Sequence, residues 1–157
     1  MREKINWSDM RSLKLSKLLT YSLMVMLVVA FVCIPFISRW YISISANDSI
    51  IKSDAFIPVC IMLVICDIFG IVAANKLRDL IANIGKSEVF IEKNSQNLRV
   101  ISWCCIFVGV TFSVFGLWRI SFFLGAFFDL FMGIIMRVLK NVFEKAVSIK
   151  NENDLTV

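Results

Sequence analysis

The chain has 157 residues, of which 59% are apolar, 13% are aromatic and 18% are charged, and its net charge is +5. Soluble domains are about 45–50% apolar, so a single soluble domain of this length could not bury so much apolar surface. The positive charge does not indicate direct nucleic-acid binding, because the basic residues collect on one side of the predicted membrane spans, where anionic lipid accounts for them.

Four segments along the chain have the length and composition of membrane spans. A spanning helix needs about 20 predominantly apolar residues, and the gaps between charged residues predict spans at about 18–38, 55–75, 100–118 and 120–136. Lipid tolerates few alternatives to the helix. We therefore predict one all-α integral membrane domain, in which Asp67 interrupts the second span and Asp129 interrupts the fourth.

The distribution of Lys and Arg predicts the orientation of these spans. Segments 1–17, 76–99 and 137–157 carry 14 of the 17 Lys and Arg residues. Loops rich in Lys and Arg stay in the cytoplasm, so both termini and the connection between the second and third spans are predicted to be cytoplasmic. The aromatic residues agree with interfacial positions, with Trp40, Tyr41 and Trp118 at the outer boundary and Trp103 at the inner one.

The second and fourth spans resemble each other at an offset of 62 residues. "DIFGIVAANKLRDLI" starts at Asp67 and "DLFMGIIMRVLKNVF" starts at Asp129, and Arg78 and Lys140 share a register in the two stretches. The similarity indicates either a duplication of a helical hairpin or two apolar helices that leave the membrane in the same way. A duplication would relate the two hairpins by a pseudo-two-fold axis along the membrane normal.

The two aspartates are predicted to share one depth near mid-span. An ionised Asp at a helix centre costs at least about 2.5–3.5 kcal/mol, and no basic residue lies within any span, so we expect at least one of them to be protonated. They either carry protons or cations, or hold the bundle together through hydrogen bonds. The polar residues available to bond them are Thr20, Tyr21, Ser22, Thr111 and Ser113.

Two amphipathic extensions follow the second and fourth spans. Leu77, Leu80, Ile81 and Ile84 share one helical face before a stop at Gly85. The segment after Arg137 has a second apolar face, formed by Val138, Leu139, Val142, Phe143, Ala146, Val147 and Ile149. We expect the two extensions to pack on each other, with the bilayer surface or a partner as the alternatives.

A polar stretch, "FIEKNSQNLRVISW", precedes the third span. We predict that Asn94 or Ser95 caps a new helix there, that Phe90 folds back on the apolar faces of the extensions, and that Arg99 lies at the headgroup level. The five cysteines lie in apolar segments without ligand spacing and the chain has no histidine, so we expect no metal, cofactor or disulfide. No nucleophile and base pair is visible, and we expect no enzymatic activity.

Two short motifs resemble bacterial membrane proteins grouped as domain-of-unknown-function family 2975. Those proteins show a Phe, a Glu-Asn pair and Leu-Arg-Ile before the third span, which is similar to Phe90, Glu92, Asn94, Leu98, Arg99 and Ile101, although Lys93 separates Glu92 from Asn94. Their C-terminus is similar to Glu152, Asp154, Leu155, Thr156 and Val157. The resemblance implies four spans, a bacterial plasma membrane and a pairing with a small helix-turn-helix regulator.

The function expected from the sequence is a non-enzymatic membrane regulator or sensor. Its 76–99 connection and its C-terminal residues Glu152 to Val157 would contact a cytoplasmic partner, the latter as an extended ligand. The alternative is a small transporter or proton path that uses Asp67 and Asp129. Homo-oligomer formation is left open by the sequence.

Overall fold

The computed structural model of the protein describes residues 7–45, 56–86, 88–117 and 120–154. These residues form four α-helices, namely α1 (Trp7–Ser45), α2 (Phe56–Ile84), α3 (Glu92–Gly116) and α4 (Ser121–Asp154). All four are long and apolar enough to cross a membrane, and the described ranges contain no strand. The predicted all-α integral membrane fold with four transmembrane helices is confirmed.

The helices are longer than the spans predicted inside them. α1 has 39 residues and continues through Pro35 without a break, which makes it about 60 Å long at 1.5 Å per residue. The predicted extensions are present, because α2 continues to Ile84 and α4 continues to Asp154. Gly85 follows α2 in a turn, and its N–H bonds the Ile81 carbonyl at 3.0 Å.

Neighbouring helices run antiparallel, as paired positions along them show. A Cβ placed on Gly70 of α2 would lie 3.2 Å from Leu27 of α1, while the Cys60 thiol bonds the Ser38 hydroxyl at 3.2 Å near the other end of this pair. Between α2 and α3, the rings of Phe69 and Phe107 stack at 5.4 Å. The bundle is therefore an up-down-up-down arrangement, in which each helix packs on its sequence neighbour.

The α3–α4 pair forms the most extensive interface of the bundle. A Cβ on Gly133 would lie 2.8 Å from a side-chain carbon of Ile106, and a Cβ on Gly109 would lie 2.7 Å from a side-chain carbon of Leu130. The Ser102 hydroxyl donates a hydrogen bond to the Gly133 carbonyl at 2.8 Å. Small residues that allow close backbone approach are typical of helix packing in lipid.

The outer surface of the bundle is apolar, as a lipid-facing surface must be. On α1, Val25, Met26, Val32 and Phe36 are each more than 60% exposed. A soluble protein rarely exposes so continuous an apolar surface, whereas these side chains are compatible with lipid. We use the term basic end for the end of the bundle that holds the α2–α3 connection and the C-terminal half of α4; Tyr41 contacts Phe122 at the opposite end, with ring centroids 5.5 Å apart.

Candidate functional site

A buried pair of amide side chains organises the basic end. The Asn94 side chain of α3 is fully buried, and its Nδ2 donates hydrogen bonds to the Glu88 and Val89 carbonyls, each at 2.8 Å. Its Oδ1 accepts a 2.7 Å hydrogen bond from Nδ2 of Asn83 on α2. The Asn94 amide thus uses both of its donors and its acceptor, and it fixes the α2–α3 connection against both helices. We call Asn83 and Asn94 the amide clamp.

The predicted helix cap at Asn94 or Ser95 is wrong. α3 begins at Glu92, and the N-cap position is held by Ile91, which has an extended backbone and makes no side-chain cap hydrogen bond. The Asn94 N–H already bonds the Ile91 carbonyl at 3.0 Å inside the first turn. The Asn94 side chain is free to bond the preceding connection because it lies within the helix rather than at its start.

A second set of contacts joins α3 to α4 at the same end. The Arg99 guanidinium donates to Oε1 of Glu144 at 3.0 Å, and the Lys140 ammonium bonds the other oxygen of Glu144. The hydrogen bond from Lys140, with the one from Arg99, lowers the pKa of Glu144 below its ordinary value. Phe90 lies on Phe143 of α4 with ring centroids 5.8 Å apart, so it folds back on an apolar face as the sequence predicts.

The remaining predicted residues of the polar stretch divide between the core and the surface. Leu98 is buried in the α3 interface, with 4% of its surface exposed, whereas Glu92 is exposed. Glu92 and Glu152 border a groove of about 480 Å³ between the start of α3 and the end of α4. The other lining residues are Gln96, Arg99, Glu144, Val147, Ser148 and Asn151.

The predicted extended C-terminal ligand is wrong for residues 151–154. These residues, which include Glu152 and Asp154, form the last turn of α4. Leu155, Thr156 and Val157 lie outside the described residues, as does Trp118 in the α3–α4 connection.

The two amphipathic extensions are bridged by α3 instead of packing on each other. Within the described residues, α2 and α4 form no interface comparable to those of sequence neighbours. The start of α3 lies between them, since Asn94 bonds α2 and Arg99 bonds α4. The apolar face of α4 is therefore only partly covered: Val147 is buried, but Val138, Val142 and Ile149 are 51–58% exposed.

A basic cavity between α3 and α4 is a feature that sequence reasoning missed. It has a volume of about 300 Å³ and is lined by Arg99, Ser102, Trp103, Arg137, Lys140 and Asn141. Arg99 and Trp103 are four residues apart on α3, and the three residues from α4 also share one face at helical spacing. Their convergence depends on the antiparallel register of α3 and α4, which the sequence pattern does not supply.

The intramembrane aspartates occupy different environments. Asp67 on α2 is buried and its Oδ2 has no hydrogen-bond partner among the described residues, whereas Asp129 on α4 is half-buried. The Cys66 thiol lies within electrostatic range of both carboxyl groups, and the Cys105 thiol of α3 lies within range of Asp129.

Three of the hydroxyl groups available to bond these aspartates donate to carbonyls of their own helices. Thr20 donates to the Ser16 carbonyl at 2.9 Å, and Thr111 and Ser113 donate to carbonyls four residues earlier at 2.8 Å. Such bonds to the preceding turn are common for Ser and Thr in helices, and they use the hydroxyl hydrogens of these three residues. Within the described part of the chain, no group of three His, Cys, Asp or Glu side chains is placed to hold a metal ion.

A known protein family matches most of the chain. The family described as "Protein of unknown function (DUF2975)" matches residues 40–157, which include α2, α3, α4, the amide clamp and both intramembrane aspartates. No curated protein and no solved structure matches the chain. Because the family match covers well over half of the sequence, the chain belongs to the DUF2975 family.

Proposed function

We propose that this protein is a non-enzymatic regulator or sensor of the bacterial plasma membrane that contacts a cytoplasmic partner through its basic end. The basic end comprises the α2–α3 connection and the C-terminal half of α4. The partner is a small DNA-binding protein of the helix-turn-helix type. Both termini lie in the cytoplasm, because the segments at the basic end hold most of the Lys and Arg residues.

The observation that carries this proposal is the amide clamp. A connection that only joined two spans would need no buried polar pair, and burying polar groups without full bonding is costly. Here Asn94 is fully buried and bonds Asn83 and two backbone carbonyls. A fully bonded buried network specifies one conformation, so the α2–α3 connection presents a fixed surface to a partner.

The exposed face of α4 supplies the other half of the contact surface. Val142 and Ile149 lie seven residues apart on α4 and are 58% and 51% exposed. An amphipathic helix with apolar residues at this spacing is a common recognition element for helical partners. Val142 and Ile149 stay exposed although α3 packs against α4, so they are available for such a contact.

Site-specific photo-crosslinking in native membranes tests the proposal. A photoreactive residue at Ile149 should capture one defined cytoplasmic protein, whereas the same residue at Phe128, an exposed apolar position further back on α4, should capture lipid or none. Capture at Ile149 should be lost in Asn94→Leu, which removes the amide clamp. The same crosslinked products at Ile149 and Phe128 would contradict the proposal. A reporter fused to the C-terminus that is accessible only from outside the cell would also contradict it.

A second function, a proton or cation path, is favoured by one specific observation. Asp67 is buried with an oxygen that has no bonding partner among the described residues, and ionisable groups inside a membrane often mark ion pathways. Purified protein in vesicles should then conduct protons, and Asp67→Asn should abolish the conductance while Asp79→Asn, at an exposed ion pair outside the span, should not. Conductance equal to that of protein-free vesicles would exclude this function.

A further inference from the structure

The basic cavity between α3 and α4 has the composition of an anion site. Three of its lining side chains are cationic, namely Arg99, Arg137 and Lys140. Trp103 and Asn141 complete the walls, and the guanidinium of Arg137 lies 4.9 Å above the Trp103 ring. The cationic groups come from both helices, so the site exists only in the packed α3–α4 pair.

The charges that face the cavity do not cancel. Glu144 is the carboxylate that bonds Arg99 and Lys140, and among the described residues no carboxylate forms an ion pair with Arg137. Three cationic groups therefore meet one anionic group, which leaves an excess of positive charge. The Lys140 side chain is only 15% exposed, and its ammonium has three donors, so it can bond Glu144 and a second anion together.

The cavity lies where α4 changes from apolar to charged sequence. From Ser121 to Met136 the only charged residue of α4 is Asp129, whereas Arg137 and Lys140 begin the charged part. Trp103 is 44% exposed beside them, and Trp is enriched at membrane–water interfaces. A ligand that reaches this cavity can thus keep an apolar part in the bilayer and a charged part among the basic groups.

We infer that this cavity binds the phosphate group of an anionic lipid. A volume of about 300 Å³ lies at the small end of ligand pockets, which suits a headgroup. Arg137 offers a forked set of donors to phosphate oxygens and Lys140 offers a point charge. Basic pockets between transmembrane helices at the cytoplasmic side are known to take anionic headgroups. The inference is independent of the proposed partner.

Native mass spectrometry of the full chain tests the inference directly. Protein released from phosphatidylglycerol-containing micelles should retain one such lipid, and phosphatidylcholine should not be retained. Arg137→Gln and Lys140→Gln should each weaken retention about fivefold, the effect of one basic residue at an anionic surface. Lys150→Gln removes the same charge from α4 about 15–20 Å further along the axis, beyond the Debye length of about 8 Å, and should change retention less than twofold.

Two results of this experiment would overturn the inference. Equal retention in Arg137→Gln, Lys140→Gln and Lys150→Gln would show that the lipid binds elsewhere. No retention of phosphatidylglycerol by the original chain would show that no such site exists. Arg137→Lys keeps the charge but not the forked donors, so it should retain the lipid better than Arg137→Gln if the cavity binds phosphate.

Fluorescence of Trp103 separates lipid from soluble phosphate. In the triple variant Trp7→Phe, Trp40→Phe and Trp118→Phe, the Trp103 emission should shift when phosphatidylglycerol is added to phosphatidylcholine vesicles. Adding Arg137→Gln should reduce this shift at the same phosphatidylglycerol content. If that variant does not fold, the difference spectrum between the original chain and Trp103→Phe gives the same signal. A shift with millimolar inorganic phosphate and none with phosphatidylglycerol would overturn the lipid assignment.

Discussion

The side chains of Asn83 and Asn94 hydrogen-bond each other at 2.7 Å between the end of α2 and the start of α3, and both residues are buried. This single bond fixes the register of the two helices at the basic end. It also orients Asn94 towards the Glu88 and Val89 carbonyls, so that the short connection cannot rearrange without breaking three hydrogen bonds.

Replacing Asn94 with Ala should destabilise the bundle strongly. The change leaves the buried Asn83 amide and two partly exposed carbonyls without their partner. A buried group left unsatisfied costs about 1–3 kcal/mol, and the two carbonyls add less because water can reach them. We expect a loss of about 3 kcal/mol in the free energy of unfolding, measured by denaturation in detergent micelles. Gln96→Ala is the control, because Gln96 lies two residues further along α3 and is exposed. It should change the free energy of unfolding by less than about 0.5 kcal/mol. Equal effects at the two positions would contradict the role of the amide clamp.

Glycine substitutions should separate tight from loose packing between α3 and α4. A Cβ on Gly133 would lie 2.8 Å from an Ile106 side-chain carbon and 3.3 Å from the Ile106 nitrogen and the Ser102 carbonyl oxygen. Backbone atoms cannot move aside as a side chain can, so Gly133→Ala should cost about 1–3 kcal/mol, as overpacking does. Unfolding of the variant in micelles measures this loss.

Gly125→Ala is the matched control on the same helix. A Cβ there would meet Phe112 at 3.8 Å, which is an ordinary contact distance. Alanine is also favoured over glycine within helices by about 0.5–1 kcal/mol, so this variant should be as stable as the original chain or more stable. A Gly133→Ala variant as stable as Gly125→Ala would show that α3 and α4 are further apart than described.

The sequence predicts the helices well because their signals are local. Runs of apolar residues between charges indicate four spans, and the spacing of Leu77, Leu80 and Ile81 indicates an extension that ends at Gly85. The sequence misses the site residues whose contacts depend on which helices are neighbours. Arg99 meets Glu144 across 45 residues of chain, and Arg137 meets Trp103, only because α3 and α4 are antiparallel in one register.

The wrong predictions share a related cause. An Asn three residues into a polar stretch matches the pattern of a helix cap, but the pattern does not show whether a tertiary partner is available. Asn94 lies beside Asn83 and two carbonyls, and these bonds decide its role. Likewise Thr111 and Ser113 are polar groups available to bond the aspartates, and each hydroxyl donates instead to a carbonyl of its own helix.

The contact between α3 and α4 at Glu144 should weaken in acid. The Lys140 and Arg99 hydrogen bonds lower the pKa of Glu144 from its ordinary value of 4.5. Since the folded-state pKa lies below the unfolded one, the contribution to stability is fully present above pH 4.5 and is lost as the pH falls through the folded pKa. The denaturant concentration at the unfolding midpoint should therefore decrease as the pH is lowered below 4.5.

Glu144→Gln should remove most of this pH dependence. Unfolding midpoints of the original chain and the variant, measured in micelles from neutral pH down to acid, should converge as the pH falls. High salt should also reduce the difference between them, because the pair is solvent-exposed and screened. Glu92→Gln removes the same charge from an exposed position of α3. It should leave the pH dependence of the unfolding midpoint unchanged. If the midpoints of the original chain and of Glu144→Gln change with pH in parallel, Glu144 is not the source of the acid dependence.

The aromatic contact between Phe90 and Phe143 should be measurable as a coupling energy. Their ring centroids are 5.8 Å apart in a tilted arrangement, and such pairs contribute about 0.5–1.5 kcal/mol beyond the area they bury. A double-mutant cycle with Phe90→Ala and Phe143→Ala should give a coupling in that range. The same cycle with Phe90→Ala and Phe128→Ala should be additive, because Phe128 lies about four turns further back along α4. Additivity in both cycles would show that the α2–α3 connection is not held against α4 by Phe90.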